Sequence, residues 1–354
     1  MLLKHISLQN FRSYTKASFD FNSQTTFILG PNTCGKSNLM EAIYLLASGK
    51  SFRAEKDANM VAFGKEIGRV SGSAEQNSEV VKLEVMVTTG MVAGIRTQFK
   101  KFMINGVAKR RSDFVGMLPA VIFCPSDLDI IILSPSFRRE FLDNVLEQVD
   151  REYRSAKSEY DKGIRQRNAL LQVVKESGRR NSKHFEYWDE LVIRTGQEIT
   201  KKREEFIAFI NSSQKDILDI QLIYDKSVIS KERLVQYERE EMLSGVTLVG
   251  PHRDDFIVLM LVKKKRVDIR SFGSRGQQRL AVVQLKLLQI QYIEKLLGLR
   301  PILLLDDIFS ELDDDHIKLV TQMITHQQTI ISTTHKEFIG HSHIEHSSVI
   351  ELKL

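Results

Sequence analysis

Cysteine is nearly absent from this chain: Cys34 and Cys124 are the only two in 354 residues. Two cysteines cannot build a disulfide framework or a cysteine-held zinc or iron–sulfur centre, and their scarcity fits a reducing compartment. No apolar run approaches the ~18–20 residues that cross a bilayer. The opening MLLKHISLQNFRSY lacks the apolar segment of a secretory leader. A cytosolic protein with no membrane partner is therefore expected. Internal repeats and low-complexity tails are also missing. Charge of one sign is in short supply, with a net of only +6, so partners depend on where cations cluster rather than on their number. Against these absences, 42 % hydrophobic and 27 % charged residues describe an ordinary folded protein with a full core, in one large or two modest domains.

Alternating apolar and polar runs at Leu3 to Leu8 and Phe19 to Leu29 predict two strands leading into a glycine turn. Leu39, Ile43, Leu46 and Ala47 then recur at helical spacing until Gly49. Residues 67–105 return to strand character and predict an antiparallel meander. Ser134-Pro135 reads as a cap and first-turn proline opening a helix through Val149, with Phe137, Phe141, Val145 and Val149 as its buried stripe. Two long charged helices, from about Arg151 to Ser177 and Lys183 to Ser213, flank GRRNS, a reversal rich in turn residues. They predict a helical hairpin with arms roughly 40 Å long. A closing α/β stretch holds a loop at Gly245 to Asp255 and a helix from about Gln277 to Leu297. After these come a buried strand Pro301 to Leu305, a helix near Asp315 to His326 and a strand Thr329 to Ser332.

The chemistry begins with GPNTCGKS, residues Gly30, Pro31, Asn32, Thr33, Cys34, Gly35, Lys36 and Ser37. This is G-x-x-x-x-G-K-[ST] between a strand and a helix, the context that makes a P-loop. Backbone N–H groups and the positive helix end suit a β-phosphate. Lys36 would bridge the β- and γ-phosphates of ATP, and Ser37 would place its hydroxyl on Mg²⁺. In PILLLDDIFSELD the apolar strand ends on Asp306 and Asp307. Asp306 is the expected Mg²⁺ carboxylate, and Asp307 the group that orients the attacking water. Aspartate is one methylene shorter than the glutamate usual in this architecture, so slow hydrolysis is expected.

A third motif, FGSRGQQR, opens the helix near Gln277 with Ser274, Gly276, Gln277 and Gln278. Alone it reads as a well-capped structural helix. Beside a P-loop that already serves one nucleotide, it reads as a second anion site that caps the γ-phosphate held by another copy of the chain. Ser310 and Asp313 lie where a loop could meet that other copy, and His335 follows the last buried strand as a γ-phosphate sensor or an ordinary surface histidine.

Together NFRSY (Asn10 to Tyr14), GPNTCGKS, GKSFR (Gly49 to Arg53), PSDLDIIILSPSFRREFLD (Pro125 to Asp143), GPHRDD (Gly250 to Asp255), FGSRGQQR and LLLDDIFSELD closely resemble the RecF family over the whole chain. The resemblance implies an α/β P-loop ATP-binding-cassette head, with a mixed sheet and flanking helices, plus a helical lobe with a short antiparallel helical hairpin. The expected division is residues 1–120 with 298–354 as an ATPase lobe, and 121–297 as a lobe with the arm and the signature helix. It further implies an ATP-dependent homodimer on gapped DNA and single-strand/double-strand junctions. RecR and RecO are the implied partners in loading recombinase, in support of replication restart and the SOS response, with a weak DNA-stimulated ATPase. Arg12 would lie near the nucleotide. The chain departs from the family at Thr33, where glycine is usual, at Cys34, where a small residue is usual, and at Ser126, often acidic.

Basic residues cluster at Lys100-Lys101, Lys109-Arg110-Arg111, Arg138-Arg139, Arg179-Arg180, Lys201-Lys202-Arg203 and Lys263-Lys264-Lys265-Arg266. With no base-reading motif beside them, they point to sequence-independent contact with phosphates, although each cluster alone reads as a solvated face. Two other classes stay open: an ATPase subunit driving a machine such as a transporter, and a non-hydrolysing DNA scaffold with a nucleotide pocket.

Overall fold

The computed structural model describes residues 1–21, 24–76, 79–179, 181–308, 327–334 and 347–353. The chain divides into two compact units, residues 1–127 with 289–354, and residues 128–288.

In the first unit, a six-stranded antiparallel sheet runs in the order Tyr14–Asp20, Leu2–Phe11, Ile67–Gln76, Glu79–Thr88, Lys100–Ile104, Val107–Lys109. Ile67–Gln76, Glu79–Thr88 and Lys100–Ile104 are the meander expected over 67–105, and Val107–Lys109 extends it. The expected strand Phe19 to Leu29 proves to be two. Its first residues end the Tyr14–Asp20 hairpin partner, and Thr25–Leu29 belongs to a second sheet. That second sheet is wholly parallel, in the order Ala120–Phe123, Ile302–Asp306, Thr329–Thr333, Thr25–Leu29, Ser348–Glu351. Thr25–Leu29 and Ile302–Asp306 are buried at every position, as continuous apolar runs covered on both faces should be. A boundary at 120/121 would cut the strand Ala120–Phe123 from this sheet.

Helix Lys36–Ser48 shares one core with residues of both sheets, including Leu3, Ile6, Ile122, Leu304 and Ile330. Eleven of its residues are buried, Lys36, Glu41 and Ser48 among them, so burial extends well beyond the one-sided stripe expected of it. Gly49 ends it in the left-handed region at φ 68°.

The second unit holds helix Pro135–Val149, the arms Arg151–Ser177 and Ser182–Ser212, and helix Arg275–Leu297, whose last turns belong to the first unit. Asp150 and Asn181 cap the arms and Gly178 reverses the chain between them. Gly163 lets the arms cross closely, since a Cβ there would meet Val192 Cγ1 at 2.7 Å. The stripe of Pro135–Val149 is turned from the expected one: Phe141 and Val145 are buried with Arg138, Leu142, Asp143 and Leu146, whereas Phe137 and Val149 are half-buried. A further antiparallel sheet, Ile220–Asp225, Asp255–Val262 and Lys265–Asp268, was not expected from the sequence. Among the described residues no helix is long and apolar enough to cross a membrane.

Candidate functional site

All five parallel strands point their carboxyl ends the same way, and ligand sites of open parallel sheets form at that edge. Strand Thr25–Leu29 delivers Gly30 there, and the loop continues to Gly35 at the cap of helix Lys36–Ser48. A Cβ on Gly30 would lie 2.6 Å from both Cys34 Sγ and the Leu352 carbonyl oxygen. Gly35 takes φ 102°, and a Cβ there would meet the Tyr14 hydroxyl at 2.9 Å. Both positions therefore require glycine. Thr33 sits at φ 70°, which costs an L-residue about 1–2 kcal/mol. Pro31, Asn32 and Thr33 are exposed, leaving the loop open to a ligand. Lys36 Nζ donates to the carbonyls of Gly30 at 2.7 Å and Pro31 at 2.8 Å, so its ammonium sits inside the loop.

Ser37 Oγ donates to Asp306 Oδ1 at 3.1 Å. The same oxygen accepts from Ser332 Oγ at 2.6 Å. Burial pushes the Asp306 carboxyl above the usual carboxylate range. The two serine hydroxyls and the Arg53 guanidinium oppose that shift, and Asp307 adds to it. Asp307 stands just beyond the strand at φ 52°. Among the described residues no group of three or more His, Cys, Asp or Glu side chains could cage a metal. A Mg²⁺ at this place would rely on Ser37, Asp306, phosphate oxygens and water, the mode usual for that ion.

The turn between the first two strands lies against the loop. The Tyr14 hydroxyl donates to the Gly35 carbonyl at 3.1 Å, and burial, with Cys34 adding, pushes its phenol up to about 12. Arg12, which the resemblance places near a nucleotide, donates through Nε and Nη2 to the two oxygens of Glu41 at 2.8 and 2.7 Å, and through Nη1 to the Asn59 carbonyl at 2.7 Å. Glu41 is fully buried on the P-loop helix and also accepts from Ser51. Glu41 and Ser51 escaped the sequence reading, although a carboxylate inside the apolar run LMEAIYLLA was the available signal. Arg53, exposed, donates to Asn38 next to Ser37 at 3.4 Å.

Ser274 and Gln277 form a capping box. The Ser274 N–H donates to Gln277 Oε1 at 2.9 Å, and the Gln277 N–H donates to Ser274 Oγ at 3.3 Å. Ser274, Arg275 and Gly276 are exposed, whereas Gln278 turns inward and donates to the carbonyls of Ile269 and Arg270. Ser310, Asp313, the helix near Asp315 to His326, and His335 lie outside the described residues.

The basic clusters separate into free and committed cations. Lys101, Lys109, Arg110, Arg179, Lys201, Lys263, Lys264 and Lys265 are exposed. Lys263 and Lys264 make a two-residue hairpin turn with φ 45° and 67°. Arg111 instead donates to the Ser48 carbonyl at 2.8 Å, and Arg266 to Asp219. Lys100 pairs with Asp57 and Lys202 with Asp150. Arg138 and Arg203 are buried, bound to Asp255 and to Asp143 with Asp254. These two arginines are core residues rather than a solvated face, because carboxylates distant in sequence neutralise them. Arg180 lies outside the described residues.

A G-x-x-x-x-G-K-S loop between a strand and a helix, with a parallel strand ending on paired aspartates, fits an α/β P-loop ATPase head of the ATP-binding-cassette and SMC type. The sequence matches the family RecF/RecN/SMC N terminal domain over residues 2–350. It is 34 % identical over 362 residues to the DNA replication and repair protein RecF of Moorella thermoacetica, covering 99 % of this chain and 94 % of that one. It is 32 % identical over 375 residues to the protein of the same name from Bacillus cereus, covering 99 % and 97 %. A solved structure of the recombination mediator protein RecF-ATP in the RecFOR pathway superposes with TM-score 0.84 at 32 % identity, covering 94 % and 92 % of the two chains. This chain belongs to the RecF family.

Proposed function

We propose that this chain is an ATP-switched DNA clamp of recombinational repair. ATP joins two copies on gapped or single-strand/double-strand junction DNA, slow hydrolysis parts them, and RecR with RecO uses the clamp to load recombinase in the cytoplasm, in support of replication restart and the SOS response. The observation that carries this reading is the 3.1 Å hydrogen bond from Ser37 to Asp306, 269 residues apart. A hydroxyl at a helix start and a carboxylate at a strand end share the place where a phosphate-bound cation belongs.

In this reading the backbone N–H groups from Gly30 to Gly35 cradle phosphate, and Lys36 exchanges its two carbonyl partners for phosphate oxygens. Mg²⁺, when bound, neutralises charge developing on the phosphates. Ser37 and Asp306 are the residues that would hold it, and Asp307 orients water. Ser274, Gly276 and Gln277 of one copy complete the site of the other. Lys109, Arg110 and the turn Lys263, Lys264 and Lys265 serve as phosphate contacts for DNA, while Arg111 and Arg266 brace the loops that carry them. The relatives' names, which join RecF to ATP and to the RecFOR pathway, support the nucleotide and the partners.

A non-hydrolysing scaffold is the second reading, favoured by the short Asp307 side chain at φ 52°. ATP turnover measured with and without gapped duplex tests both. Turnover stimulated by the gap is expected, and none under either condition leaves the scaffold. Replacing Lys263 and Lys264 with Gln should flatten the salt dependence of DNA binding by about one unit of slope per lysine. An unchanged slope would remove that turn from the interface.

A further inference from the structure

Strand Thr329–Thr333 carries a buried hydroxyl that the nucleotide reading leaves without a part. Ser332 is 1 % exposed and stands directly opposite Asp306 in the parallel register. Its Oγ donates to Asp306 Oδ1 at 2.6 Å and accepts the Asp307 N–H at 3.1 Å. Its carbonyl oxygen accepts that same N–H at 3.2 Å. One residue of a neighbouring strand thus holds the side chain of the first aspartate and the backbone of the second.

A hydroxyl offers one proton and two lone pairs. Donating to a carboxylate while accepting an amide fixes the direction of both bonds, so Ser332 cannot satisfy one aspartate without orienting the other. The Asp307 backbone lies in the left-handed region, which a residue with a side chain holds only where the surroundings over-determine it. Its N–H, shared between two oxygens of Ser332, supplies that constraint. Ser37 and Ser332 both donate to Oδ1 of Asp306, one from the P-loop helix and one from the next strand. The carboxylate is therefore held between them in a set rotation.

We propose that Ser332 is a positioning residue for the divalent cation of this site: it sets the rotation of the Asp306 carboxylate and the backbone turn that aims Asp307. The inference rests on the nucleotide reading above. Partners that orient a metal-binding carboxylate are typically worth 10–100-fold in metal affinity. A hydroxyl that merely satisfied a buried carboxylate would affect melting and leave the cation requirement alone.

The test uses Ser332→Ala and Ser332→Thr in the full chain, read by fluorescent ATP binding in EDTA and by Mn²⁺ titration of the ATP-bound protein. Ser332→Ala should bind ATP in EDTA as the parent does while needing about tenfold more Mn²⁺. Ser332→Thr, which keeps the hydroxyl, should return to within about threefold of the parent. On an Asp306→Asn background Ser332→Ala should add no further loss. An unchanged Mn²⁺ requirement in folded Ser332→Ala overturns the proposal, as does equal loss in the presence and absence of Asp306. If the alanine variant does not fold, Ser332→Cys, which keeps the volume and a weak donor, is held to the same two outcomes. Failure of the parent protein to bind ATP at all would instead sink the nucleotide reading, so the two failures are distinguishable.

Discussion

Arg12 and Glu41 tie the turn between the first two strands to the P-loop helix. The guanidinium grips a carboxylate with no exposure, and removing one partner of a buried pair leaves an uncompensated charge worth about 3–5 kcal/mol. Arg12→Ala should therefore lower stability by about that amount, read as a fall in the denaturant midpoint. The double change Arg12→Ala with Glu41→Met should recover most of it, because no charge is then stranded. A loss below about 1 kcal/mol in the single variant would show the pair to be solvated. Lys36→Arg puts a guanidinium where the loop holds an ammonium. A branched planar fork cannot occupy the place of a point ammonium that meets two loop carbonyls, so hydrolysis should be lost in a turnover assay, and unchanged turnover would remove Lys36 from the phosphate site. At this scale the P-loop was legible because its spacing is local. The Arg12–Glu41 and Ser332–Asp306 contacts were not, because each joins residues that only the assembled sheets bring together.

The helical arm is the element whose ends the sequence announced most clearly. Asp150 accepts from the Tyr153 N–H and Asn181 from the Lys183 N–H, and Gly178 closes the first arm at φ 69°. Gly178 and Asn181 lie in the reversal that the sequence predicts, whereas the Asp150 cap was not among its signals. What holds the arm's base was hidden. Arg167 binds Asp189 and Glu241, and Arg203 binds Asp143 and Asp254, partners 22 to 74 residues away. Charged helices read as solvated faces until such partners are known.

The base also has a pH signature. Burial alone would raise the Asp143 carboxyl, but Arg203, Lys157 and Tyr153 overcome it and hold the group at about 2. Its contribution is complete above the ordinary value near 3.9 and is lost as pH falls toward 2. His252, hydrogen-bonded to Tyr160 and to the Thr247 carbonyl, is lowered by burial to about 4. The unfolded chain accepts a proton near pH 6.5 that the fold refuses until about 4, so stability declines across that window. Urea midpoints should fall between pH 7 and pH 5 in the parent and fall less in His252→Gln. Equal slopes would assign the decline to other groups.

For the whole molecule, the proposed clamp requires two copies to meet through nucleotide. The exposure of Ser274 and Gly276 at a capped helix tip agrees with a surface that awaits a partner. Ser274→Arg should leave ATP affinity intact while abolishing dimer formation, since bulk and like charge at the tip would oppose a second copy's Lys36. Retained dimers in that variant would move the interface elsewhere. The three motifs were legible in sequence because each sits beside a strand end or helix start. Their proposed meeting across copies is an inference from the spare anion site at Ser274, and which surfaces would touch is not legible, because no periodicity within one chain encodes the surface of another.

The most direct measurement is sedimentation of the parent protein and of Asp307→Asn with ATP, with ADP and with neither. A dimer is expected only with ATP, and it should persist in Asp307→Asn as hydrolysis stops. A monomer at saturating ATP in both proteins would contradict the clamp.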